Sequence, residues 1–178
     1  MGSTNEAVLF INEGIPLREL VPSFFDGARN VIAIQDTCTF LALEEQRDGT
    51  EPDPEHHDSI SPAHAVSLLS DWPTGGCVVA FLDLTTKTKR DVCVTFLTQS
   101  DHVADIILIQ QTAKETWREF VELACRLFAR TEEAERLIAG WELERKCRAS
   151  GERHTLAAQY RDAYPARDPN SIVEIRSL

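Results

Sequence analysis

Phosphate-cradling glycine patterns are missing from this chain. Neither Gly-x-Gly-x-x-Gly nor Gly-x-x-x-x-Gly-Lys-Ser/Thr occurs, and there are only 8 glycines in all. Backbone amides can approach a phosphate closely only where such glycines make room, so nucleotide sites built on those loops are excluded. A Gly-x-Ser-x-Gly elbow and a His-Glu-x-x-His helix are absent too. Their absence removes the commonest serine-hydrolase and zinc-peptidase signatures. The cysteines, Cys38, Cys77, Cys93, Cys125 and Cys147, are odd in number and include no Cys-x-x-Cys pair. That spacing supports neither a disulfide framework nor a structural zinc site; free, buried thiols in a reducing compartment are expected. No apolar run approaches the ~20 residues of a membrane-spanning helix, and runs such as Ile106 to Ile109 are strand-sized. The N-terminal Met1-Gly2-Ser3-Thr4-Asn5-Glu6 lacks the basic region and apolar core of a secretory signal, and Glu6 stands where a myristoylation signal needs Ser or Thr. A cytoplasmic location is expected.

Basic residues are also few. Lys and Arg number 18 against 29 Asp and Glu, a formal charge of -11. The surplus is uneven: residues 1–112 carry 17 acids and 6 bases, residues 113–178 carry 12 of each. Within the first part, Glu44, Glu45, Asp48, Glu51, Asp53, Glu55 and Asp58 face only Arg47, a local net charge of -6. Nucleic acids and anionic membranes are bound through clustered Lys and Arg, so neither is expected as a partner. A cationic partner protein is compatible with this balance.

Length and composition suit one domain. A chain of 178 residues with 43% hydrophobic residues buries a sizeable core without disulfides or metal. Ala7 to Ile11 reads as a buried strand closed by Asn12-Glu13-Gly14. Leu17, Leu20, Val21, Phe24 and Phe25 then recur with helical spacing, and Pro22 within that stripe predicts a short helix or a break near Val21. Val31 to Ile34 and Thr37 to Leu43 read as strands, and the polar stretch Gln46 to Pro54 as a mobile loop. Ser61-Pro62 is a helix-start signal. Cys77 to Leu84, Asp91 to Thr98 and Val103 to Gln110 read as three strands with short links, the first of them apolar on both faces and central. A helix follows Thr112, with Trp117, Phe120, Val121, Ala124, Leu127 and Phe128 as its stripe. Ala134, Leu137, Ile138 and Trp141 predict a second helix, Arg153 to Tyr164 a third, and Ile172 to Ile175 a last strand. The order has no regular βαβα alternation. The expected fold is α+β: an antiparallel or mixed sheet of about five to six strands packed against helices, with a mainly helical C-terminal part. Residues 1–178 form a single domain, with a mobile acidic loop at about 45–60.

One constellation could carry chemistry. Asp53, Glu55, His56, His57, Asp58 and His64 combine carboxylate and imidazole, the donors of a divalent-metal site. Adjacent histidines rarely converge on one ion, and no spacing completes a known ligand set, so a solvated or partner-binding acidic loop is preferred. Ser100-Asp101-His102 is a strand connection and not a triad, because a triad is assembled from distant segments. Cys38 has the acidic neighbours Asp36, Glu44 and Glu45, the opposite of what activates a thiolate. Lys87, Lys89 and Arg90 read as a solvated hairpin tip.

The reading that results is a non-catalytic protein-binding module, with no catalytic residues and no cofactor. In size and charge it is similar to immunity proteins and antitoxins that neutralise a basic partner. Glu51, Asp53, Glu55 and Asp58 are its expected partner-binding residues. The alternative is a small intracellular hydrolase or transferase, metal-assisted through His56, His57 and His64 with Asp58 orienting them.

Overall fold

The computed structural model describes residues 4–34, 38–42, 56–71, 76–78, 81–100, 103–112, 117–141 and 172–175. The elements run β1 (Thr4–Pro16), α1 (Leu17–Ala28), β2 (Ile32–Ile34), β3 (Cys38–Ala42), β4 (His56–Ile60), α2 (Pro62–Asp71) and β5 (Gly76–Val78). They continue with β6 (Phe81–Asp83), β7 (Lys89–Arg90), β8 (Val92–Ser100), β9 (Val103–Thr112), α3 (Trp117–Phe128), β10 (Ala134–Trp141) and β11 (Ile172–Ile175). The α+β class expected from the sequence is the class found. The described residues form two sheets, one of eight strands in the order β11-β10-β1-β9-β8-β5-β3-β4 and one of three in the order β2-β6-β7. Among the described residues, only β10 and β11 pair in parallel.

Strand alternation splits the main sheet into two faces. Ala7, Leu9 and Ile11 of β1, Val94 and Phe96 of β8, Ile107 and Ile109 of β9, and Leu137 and Ala139 of β10 join one core cluster with the helices. Helix α3 packs on β10 and β1, α1 on β1, β9 and α2, and α2 on β3 and β5. Phe24 of α1 is the pivot of this layer. Its ring meets Phe96 edge-on at 5.8 Å and Phe25 at 5.2 Å. Burying a side chain of that size contributes roughly 1.5–3 kcal/mol, with about 1 kcal/mol more for a favourable ring pair.

Several local expectations hold. Ser61 caps α2, its Oγ accepting the His64 backbone N–H at 3.2 Å. Strands β8 and β9 pair antiparallel as expected, out to Ser100↔Val103. The stripe on α3 is buried at Phe120, Val121, Ala124, Leu127 and Phe128.

Others are corrected. Pro22 does not shorten or break α1, which runs for 12 residues. Pro22 lies on the exposed face, where solvent can satisfy the carbonyl one turn back that loses its partner. The turn-like Asn12-Glu13-Gly14 does not end β1. It falls in a bulge, since the β9 register jumps between Phe10↔Ile106 and Ile15↔Ala104. The apolar run from Cys77 is not one central strand: β5 joins the eight-stranded sheet and β6 the three-stranded one. The helix expected over Ala134 to Trp141 is strand β10, with Leu9↔Leu137 and Val8↔Ile138 paired across to β1. The third helix, at Arg153 to Tyr164, and with it the mainly helical C-terminal part, lies outside the described residues, as does the loop at Gln46 to Pro54.

Candidate functional site

The acidic segment is held by two paired strands. Residues 43–55 join β3 to β4, and these strands are antiparallel neighbours with Leu41↔His56 and Phe40↔His57 in register. The flanking residues Leu41 and His56 thus lie together, at the β4 end of the main sheet. The segment holds 6 acids and Arg47, a net charge of -5, and Asp58 on β4 adds one more acid. The ladder slips between Cys38↔Ile60 and Phe40↔His57, so Asp58 and Ser59 together face Thr39. Ser59 takes φ 56 at this bulge, a left-handed conformation that glycine adopts more readily.

Of the four expected partner-binding residues, Glu51, Asp53 and Glu55 lie outside the described residues, and Asp58 occupies the bulge of β4. His56 and His57 are successive positions of the same strand, and His64 lies exposed in the first turn of α2, just past Ser61. Among the described residues, no three His, Cys, Asp or Glu side chains come together as metal ligands.

Residues 44–58 carry a net charge of -6, out of -11 for the whole chain. Elsewhere, ion pairs among the described residues neutralise buried charge internally.

That internal neutralisation centres on Asp83, which is fully buried. Its Oδ1 accepts the backbone N–H groups of Thr85 at 2.9 Å and Thr86 at 3.2 Å, shaping the β6–β7 turn. Its Oδ2 accepts from Arg126 Nη2 at 2.7 Å and lies 3.4 Å from Arg90 Nε. Arg90 reaches on to Glu119 at 3.9 Å. The cluster fastens the small sheet to α3. It also corrects the reading of the basic hairpin tip: Lys87 and Lys89 are exposed, but Arg90 is 3% exposed and belongs to the interior. Lys87 has a positive φ of 58 in this turn, and its N–H donates to the Asp83 carbonyl at 2.8 Å.

A second polar group was not anticipated from the sequence. Asn5, Glu6 and Gln111 are buried at one end of the main sheet, with Asn5↔Gln111 and Glu6↔Gln110 in register between β1 and β9. Gln110 Nε2 donates to Glu6 Oε1 at 3.5 Å. Asn5 Nδ2 and Gln111 Oε1 have no hydrogen-bond partner. The available signal was polar residues abutting apolar runs, Asn5-Glu6 before Ala7 and Gln110-Gln111 after Ile109. Such residues ordinarily mark strand ends in solvent. Of the thiols described, Cys93 is half-buried and Cys125 buried, and neither forms a disulfide. Burial pushes the Cys125 thiol up to about 12, against a smaller lowering by Arg126. A thiol so shifted is not a nucleophile at neutral pH.

No helix among the described residues is long and apolar enough to cross a membrane. No protein-family model matches the chain, and no curated protein matches it. Among solved structures the chain aligns with the Pseudomonas aeruginosa T6SS protein PA0821, at 15% sequence identity and a TM-score of 0.38. The alignment covers 79% of this chain and 41% of that one, so this chain spans about two fifths of the length of the structure it aligns with. The likeness is too distant to carry an argument about activity or partners.

Proposed function

We propose that this chain is a non-catalytic protein-binding module that inhibits a basic partner protein, in the manner of an immunity protein or antitoxin, and works in the cytoplasm. One observation carries the reading. A net charge of -5 is concentrated in the 13-residue segment that joins β3 to β4, and the residues flanking it, Leu41 and His56, pair in register. Charge gathered on one tethered segment raises the rate of encounter with a cationic surface and selects against acidic partners. Glu51, Asp53, Glu55 and Asp58 are the residues that meet the partner. Cys93 and Cys125, neither of them in a disulfide, suit a reducing compartment.

The test uses the full chain and the partner isolated with it from its native source. Glu51→Gln, Asp53→Asn, Glu55→Gln and Asp58→Asn are combined in one variant. Its affinity at low salt should fall by about tenfold, and its dependence on ionic strength should flatten, as expected for losing several rim charges. An unchanged Kd with an unchanged salt slope would show that these carboxylates do not face the partner.

A further inference from the structure

We draw no further inference here: the strongest candidate, the outer edge of β4 where the acidic segment rejoins the main sheet, rests on an acidic cluster and a strand edge, and nothing in the structure shows what covers it.

Discussion

Arg126 on α3 donates a 2.7 Å hydrogen bond to the fully buried carboxylate of Asp83 on β6, joining a helix of the main layer to the three-stranded sheet. The contact spans 43 positions of sequence. Asp83 is the shared anion for two guanidinium groups and the acceptor for two turn amides. Asp83→Ala would remove the carboxylate 3.4 Å from the buried Arg90 and undo the turn that positions β7. Breaking a buried pair from one side costs roughly 3–5 kcal/mol. Urea unfolding should show a loss of that order for Asp83→Ala. A smaller loss is expected for Arg126→Met, because the Arg126 side chain is partly exposed and its aliphatic stem is retained. A loss below about 1 kcal/mol for Asp83→Ala would mean that the cluster does not hold the small sheet in place.

Gly27 is a point where the chain comes too close for an ordinary side chain. It lies inside α1, where alanine normally stabilises a helix by about 1 kcal/mol relative to glycine. A Cβ at this position would stand 2.3 Å from the backbone carbonyl oxygen of Arg130, just beyond α3. Backbone cannot move aside as a flexible side-chain end can. Gly27→Ala should therefore lower stability by roughly 1–3 kcal/mol, the usual cost of overpacking. The thermal midpoint reports the sign directly, and a rise in Tm would show that the Arg130 carbonyl leaves room for a Cβ at Gly27.

These two contacts mark the limit of what the sequence made legible. Periodicity located α1, α2 and α3 because each buries one stripe against the sheet, and a stripe is a local property. It failed at β10, where Ala134, Leu137, Ile138 and Trp141 fit a helical stripe while Leu137, Ala139 and Trp141 equally fit an alternating one. Pairing with β1 decides between them, and pairing is non-local. The run from Cys77 to Leu84 failed for a related reason: continuous hydrophobicity does not say that β5 and β6 enter different sheets. Asp83 interrupts that run and was the one visible hint. The candidate site was legible only as charge. The strands that bracket residues 43–55 explain how the acids are tethered, whereas the adjacency of Leu41 and His56 could not be read along the chain.

The raised Cys125 thiol gives a pH dependence with a definite sign. In the folded chain it holds its proton up to about 12, whereas the ordinary value is 9.0. Above 9.0 the unfolded chain releases this proton and the folded chain does not, so unfolding becomes progressively easier. The contribution is fully present below 9.0 and is lost as pH rises from there to about 12. Other groups also titrate in that range, so the measurement is a difference: stability of the parent minus that of Cys125→Ala, followed from pH 8 upward. The difference should shrink with rising pH. Iodoacetamide at pH 8 should leave Cys125 unmodified until the chain unfolds. Labelling of the folded protein at that residue, or a difference independent of pH, would contradict its burial.

Asn5 and Gln111 offer the opposite experiment, in which removing polarity should help. Asn5 is 3% exposed and its Nδ2 has no partner; Gln111, opposite it on β9, is 4% exposed with an unpartnered Oε1. A buried donor or acceptor left unmade costs about 1–3 kcal/mol, while an apolar group of similar shape avoids that cost. Asn5→Leu should therefore be neutral or stabilising by up to about 1 kcal/mol, and Asn5→Leu with Gln111→Met should gain more than either alone. Chemical denaturation of the two single variants and the double variant measures both the gain and the coupling between the sites. A double variant that unfolds more readily than the parent by over about 1 kcal/mol would mean that the two amides satisfy each other, holding β1 and β9 in register through a hydrogen bond that a small rotation of either side chain completes.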